Sequence, residues 1–299
     1  MEPIIVIVGF LGAGKTTLLK KLIQSYLAHQ KEPFIILNDY QNAYLDSQQF
    51  LEFLDPPYVQ SLSGSCICCS GIVELRNQVN SIPRRENGVT LIEANGTSDS
   101  CALMSFLGVG LNEHFLPPIQ ISVVDVKQWQ KRQEHNELEA NQVQVSSLII
   151  LNHHTDLDLD RLQSVKNELT QLNPWAKQIL WDDLTLEDIR TLTPSLNQPD
   201  DFEHGKTHWS SCSVDLPLSI PLNSIHHILS AIPDQILRVK GCTRVDHDQG
   251  YTYFERVPSG EVKIRPYYGS PITGPKLLTI GPGSDPELLQ KVVEEALQK

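Results

Sequence analysis

Short apolar runs alternate with amphipathic stretches from Ile4 to about Arg190. That rhythm predicts strands of a parallel sheet joined by crossover helices. Ile4-Ile5-Val6-Ile7-Val8 is wholly apolar and β-branched, the pattern of a buried strand. Leu18, Leu19, Leu22, Ile23, Tyr26 and Leu27 recur at helical spacing and predict a helix over residues 17–30. Further strands are expected at 34–37, 90–93, 123–125 and 147–151. A polar stretch with Pro and Asp, around residues 195–209, interrupts the rhythm and marks a boundary. Beyond it the pattern predicts strands at 213–216, 236–245, 251–257, 261–267 and 276–280, with a turn at Pro258-Ser259-Gly260. Helices are predicted at 222–231 and 285–298. The expected organisation is an α/β domain over 1–195, a linker over 196–212 and a smaller α+β domain over 213–299.

The turn between the first strand and the first helix reads Gly9-Phe10-Leu11-Gly12-Ala13-Gly14-Lys15-Thr16-Thr17. This is G-x-x-x-x-G-K-[ST], the nucleoside-triphosphate P-loop, in the strand–loop–helix setting it requires. Glycines let backbone N–H groups close on phosphate oxygens, and the helix N-terminus adds a positive dipole. Lys15 is expected on the β/γ-phosphates and the Thr16 hydroxyl on Mg²⁺. The fold expected of residues 1–195 is therefore a P-loop NTPase domain with a mostly parallel sheet.

Charge and composition narrow the partners. The chain has 299 residues, 40% of them hydrophobic, and a formal charge of −12, which disfavours nucleic acid as a partner. No run has the length and apolarity of a membrane span, and no leader pattern precedes the first strand, so a cytoplasmic location is expected. Six cysteines are present, and Cys66, Cys68 and Cys69 sit together as Cys-Ile-Cys-Cys. In a reducing compartment such a cluster points to a thiophilic metal ion such as Zn²⁺ or Cu(I). Three buried, inert thiols are the alternative reading of the same residues. Cys101, Cys212 and Cys242 are read as structural.

A P-loop near the N-terminus followed by Cys-Ile-Cys-Cys resembles the CobW-type metal-homeostasis GTPases, relatives of the hydrogenase and urease nickel-insertion GTPases. Leu37-Asn38-Asp39-Tyr40-Gln41 is similar to the family's Asn-Glu-Phe-Gly switch segment, with Asp39 in the acidic place. Thr90-Leu91-Ile92-Glu93-Ala94-Asn95-Gly96 resembles its strand ending in Glu-x-x-Gly. Val123-Val124-Asp125 and Leu237-Arg238-Val239-Lys240-Gly241 resemble two further family strands. The resemblance implies GTP or GDP bound at Gly9, Gly12, Ala13, Gly14, Lys15, Thr16, Thr17 and Gly96. It implies slow hydrolysis involving Lys15, Asp39 and Glu93, and Zn²⁺ or another thiophilic divalent ion at Cys66, Cys68 and Cys69. The implied partner is a client metalloprotein, and the resemblance leaves room for a homo-oligomer.

The chain departs from the family at several places. Asn152-His153-His154-Thr155-Asp156 stands where Asn-Lys-x-Asp reads the guanine base. Aligned on Asp156, His153 replaces the Asn and His154 the Lys, while Asn152 serves through a one-residue shift. Asp156 keeps the carboxylate that accepts from guanine N1–H and N2–H₂. The altered motif leaves the choice between GTP and ATP open. Gln41 replaces the switch glycine, and Gly64-Ser65 precedes the cysteines instead of Asn-Gly. His204 and His208 are read as exposed loop residues, and Asp156, Asp158 and Asp160 as solvated residues opening a helix. Two other functions fit the residues: a small-molecule kinase or ATPase with structural cysteines, and a nucleotide-gated binding protein with little turnover.

Overall fold

The computed structural model describes residues 1–39, 47–63, 71–155, 157–197, 211–236, 238–246, 250–257, 260–267, 274–280 and 283–298; of residues 39, 63, 71–73, 106, 134, 211 and 280 only the backbone is described. Two compact units form: Met1–Asn38 with Phe53–Lys206, and Asp39–Glu52 with Thr207–Lys299.

In the first unit the elements run β1 (Ile4–Val8), α1 (Lys15–Ala28), β2 (Glu32–Asp39), β3 (Val59–Ser63), α2 (Gly71–Ser81), β4 (Gly88–Glu93), α3 (Ser100–Leu107), β5 (Ile119–Asp125), α4 (Asn136–Gln144), β6 (Leu148–Asn152), α5 (Leu159–Leu172), β7 (Lys177–Leu180) and α6 (Leu186–Arg190). The strands form one seven-stranded sheet in the order β3-β2-β4-β1-β5-β6-β7. The pairings β1–β4, β1–β5, β2–β4, β5–β6 and β6–β7 are all parallel. Every residue of β1 is buried, because helices cover both faces of a central parallel strand. Val6, Val8, Phe34 and Ile36 share a core cluster with Leu75 and Val79 of α2 and Leu103 and Leu107 of α3. Val124, Ile149 and Leu151 pack with Val143 of α4 and Val165 and Leu169 of α5. Each such side chain contributes about 1.5–3 kcal/mol on burial.

The register sets which strand ends meet. Ile7 pairs with Glu93, Val8 with Ser122, and Asp125 with Asn152. The carboxyl ends of β4, β5 and β6 therefore line up beside the loop that leaves β1, the edge where open α/β sheets bind ligands.

The second unit contains β8 (Ser211–Asp215), β9 (Ser219–Ile220), α7 (Leu222–Ala231), β10 (Arg238–Val245), β11 (Tyr251–Arg256), β12 (Val262–Tyr267), β13 (Lys276–Ile280) and α8 (Pro286–Leu297). Its sheet order is β12-β11-β10-β13-β8, with β9 paired to β10. Ile225, Ile228 and Leu229 of α7 and Leu289, Val292 and Val293 of α8 bury against Val214, Val239, Phe254 and Leu277 of the sheet. Asp285 caps α8 by accepting from the Leu288 N–H at 2.9 Å, as its place before Pro286 leads one to expect. The grouping of residues 39–52 with this unit has no mark in the sequence. There Gln49 is buried and its Oε1 accepts from Arg265 Nη2 at 3.1 Å. Arg265 in turn lies over the Tyr253 ring, 4.4 Å from its centroid.

No helix among the described residues is long and apolar enough to cross a membrane.

Candidate functional site

The loop from Gly9 to Gly14 takes conformations that demand glycine. Gly9 has φ +140°, and a Cβ there would stand 2.3 Å from the Val123 carbonyl oxygen. Gly14, at φ +111°, is the N-cap of α1, so the helix begins at Lys15, two residues before its predicted start, and ends at Ala28. Lys15 is 4% exposed, and its ammonium donates to the carbonyls of Gly9 at 2.9 Å and Phe10 at 3.3 Å. It is thus folded back onto the loop. The Thr16 hydroxyl donates to Glu93 Oε1 at 2.7 Å, across 77 residues of sequence. Thr17 is exposed. Gly96 sits directly against the loop: a Cβ there would meet Leu11 Cδ2 at 2.4 Å and Leu11 N at 2.8 Å.

On the far side of the loop, Asn152 Nδ2 donates to the Ala13 carbonyl at 2.8 Å. The side chain reaching the P-loop is therefore that of Asn152, and not the His153 that alignment on Asp156 puts in the asparagine place. His153 takes φ +54° and turns its Nδ1 to Asp125 Oδ2 at 3.1 Å. His154 turns the other way, its Nε2 lying 3.2 Å from Asp182 Oδ2. Adjacent loop histidines thus serve two different carboxylates. Asn152→Ala is expected to weaken GTP and ATP binding alike by roughly 5–10-fold, the worth of about one neutral hydrogen bond. Titration calorimetry checks this, and a loss confined to the guanine nucleotide would contradict it.

Asp125 is the hub of a buried charge cluster. Burial pushes its carboxyl up, but the hydrogen bond and charge of His153, the Gln128 N–H and the Arg132 charge outweigh it and hold it below the usual carboxylate range. Burial likewise raises Glu139, and there the Arg132 guanidinium, 3.2 Å away, only partly offsets it. Arg132 also lies over the ring of the P-loop residue Phe10, 4.3 Å from its centroid. Directly after β7, Trp181 brings its ring to 3.9 Å from where a Gly14 Cβ would lie, and Lys21 Nζ donates to its carbonyl at 3.3 Å. Asp125, Trp181 and Asp182 escaped the sequence reading of the site, although each closes or follows a strand of the same edge. Arg132 carries no sequence signal at all.

Asp39 closes β2, and only its backbone is described; Asp156 and the Cys66, Cys68 and Cys69 cluster lie outside the described residues. Among the described residues no three His, Cys, Asp or Glu side chains gather closely enough to hold a metal ion. The remaining thiols suit a structural role. Burial pushes Cys101 and Cys242 up to about 12 and also raises Cys212, so none is a ready thiolate.

The family model for the CobW/HypB/UreG nucleotide-binding domain matches residues 3–180. The zinc-regulated GTPase metalloprotein activator 1 of Dictyostelium discoideum is 24% identical over 213 residues, covering 58% of this chain and 44% of that protein. The chain thus answers to less than half the length of that relative. Among solved structures, the Zn(II)-bound YjiA GTPase from E. coli is 17% identical with all of both chains covered, at a TM-score of 0.39. HypB from Helicobacter pylori, in complex with nickel, is 15% identical over 60% of this chain and 78% of that one, at a TM-score of 0.40. With its P-loop, its strand-end Glu93 and a family match over more than half its length, the chain belongs to the CobW/HypB/UreG family of P-loop GTPases.

Proposed function

We propose that this protein is a GTP-hydrolysing metallochaperone. It takes a thiophilic ion, zinc foremost, on the Cys66, Cys68 and Cys69 thiolates and hands it to a client metalloprotein in the reducing cytosol. The observation that carries the nucleotide half is the Thr16–Glu93 hydrogen bond beside a buried Lys15. A hydroxyl and a carboxylate meeting at a P-loop are hard oxygen donors, the set that suits Mg²⁺. Thr16 and Glu93 are the residues that would hold that ion, which supplies charge neutralisation at the phosphates. Lys15 exchanges its loop carbonyls for phosphate oxygens, and the helix N-terminus at Gly14 adds its N–H groups. Gly96 brings the loop after Glu93 against the P-loop, so the presence of the last phosphate is felt there. Asp39 completes the switch at the end of β2, Asn152 braces the P-loop, and His154 and Asp156 border the base.

The metal half rests on the Cys-x-Cys-Cys pattern, which lies between the end of β3 and the start of α2, and on the zinc and nickel named for its relatives. The domain spans proposed are 1–195 for nucleotide and 213–299 for client contact, joined by 196–212. Coupling between sites is reciprocal, so zinc must bind differently to the GTP and GDP forms. Affinities for guanine and adenine nucleotides, measured with and without Zn²⁺, test the reading. The expected result is a GTP affinity shifted roughly 5–100-fold by saturating zinc. Identical nucleotide affinities with and without zinc would sink it.

A further inference from the structure

Polar side chains are rare inside a parallel sheet, yet β5 carries Gln120 and Ser122, both 0% exposed, and Ser146 follows α4 equally buried. Such groups cost stability unless satisfied. All three converge on one atom. The carbonyl of Gln142, in α4, accepts from Gln120 Nε2 at 2.8 Å and lies within hydrogen-bond distance of the Ser122 and Ser146 hydroxyls, which are 2.6 Å apart so that one of them donates to the other. The backbone of Gln142 is thereby anchored to the strand next to β1. Gln142 is 1% exposed, and its side chain makes bonds of its own. Nε2 donates to the carbonyls of Gly96 at 2.9 Å and Ser98 at 3.2 Å. The neighbouring Asn141 Oδ1 accepts from the Ser100 N–H at 2.9 Å. The loop between Glu93 and α3 is thus held from the core side at three peptide groups. On its other side Gly96 touches Leu11 of the P-loop. Both amide hydrogens of Gln142 are used, and the flipped amide would set an oxygen against two carbonyls, so the orientation is unique.

We propose that Gln142 is a positioning residue for GTP hydrolysis: its carboxamide, fixed to β5, holds the Gly96–Ser98 loop in register with Glu93 and the P-loop. Two carbonyls of the loop, those of Gly96 and Ser98, are thereby tied to α4, and buried hydrogen bonds of this kind fix geometry more firmly than exposed ones. This rests on the hydrolytic reading of the same site. The full chain carrying Gln142→Met keeps the side-chain length and loses both donors. Its kcat for GTP is expected to fall on the order of 100-fold, as for a displacement of about 1 Å at a reacting centre. Its GDP affinity is expected to stay within about twofold, because the P-loop contacts are untouched. A residue of merely structural worth would lower kcat and GDP affinity together. If Gln142→Met does not fold, Ser122→Ala loosens the anchor alone and is expected to lower kcat roughly 3–10-fold with GDP affinity kept. A folded Gln142→Met with wild-type kcat overturns the assignment, as does a parallel loss of kcat and GDP affinity, or an unfolded Gln142→Met together with a fully active Ser122→Ala. A wild-type chain that fails to hydrolyse GTP would sink the hydrolytic reading itself.

Discussion

Gly9→Ala is expected to abolish useful nucleotide binding and to destabilise the first unit by roughly 3–5 kcal/mol. Two costs add. A φ of +140° is a backbone region that side chains other than glycine's rarely occupy, and the new methyl carbon would lie 2.3 Å from the Val123 carbonyl oxygen. Neither partner yields easily, because Val123 is a buried residue of β5, paired in register to β6. Relief requires the P-loop to lift from the sheet, which also moves the Gly9 carbonyl that holds the Lys15 ammonium. Thermal unfolding and GTP titration of the variant measure both consequences. GTP affinity is expected to fall at least about 100-fold, equivalent to about 2.7 kcal/mol. Gly250→Ala is the matched control, since no atom lies within 4 Å of a Cβ at that position. A Gly9→Ala chain that unfolds and binds GTP like the control would contradict this account of the loop.

The second large effect concerns the cargo. Replacing Cys66, Cys68 and Cys69 together by Ser is expected to weaken Zn²⁺ binding at least about 1,000-fold, or about 4 kcal/mol. Thiolates hold zinc through soft, charged sulfur, and serine hydroxyls at neutral pH supply neither the charge nor the polarisability. Cys101, Cys212 and Cys242 do not substitute, because burial keeps their thiols protonated. In metal-free buffer the GTP affinity of the triple variant is expected to stay within about twofold of the parent, since Lys15, Thr16 and Glu93 are untouched. Competition titration against a chromophoric zinc chelator reads the first quantity and nucleotide titration the second. Unchanged zinc affinity in the triple variant would remove the metallochaperone reading and return the cluster to inert thiols.

Local pattern sufficed for most elements. The five residues of β1 are apolar because both faces of a central strand are covered, and that compositional mark is visible without any partner. Helix α7 spans the residues its periodicity predicts, and α8 begins at the Asp-Pro pair that caps helices. The P-loop is legible for the same reason: its chemistry is carried by contiguous residues whose types are dictated by close approach to phosphate. The Asn152–Ala13 pair was not legible: the sequence offers Asn152 and His153 as readers of the base, and the contact of Asn152 with the P-loop carbonyl comes only from the fold.

What the sequence determined by itself is the nucleotide chemistry of Gly9 to Thr17, the alternation that makes an α/β sheet, and the presence of three clustered thiols. These are local matters, set by backbone propensity, side-chain size and neighbouring residues. Only the tertiary structure decided that Thr16 meets Glu93, that Asp125 gathers His153 and Arg132, and that residues 39–52 join the second unit. It alone gave the buried polar residues of β5 a purpose, by bringing Gln142 beneath Gly96. Thr16 meets Glu93 and Asp125 meets His153 because strand register aligns β1 with β4 and β5 with β6, and register follows from the burial of whole faces and not from any residue at the contact.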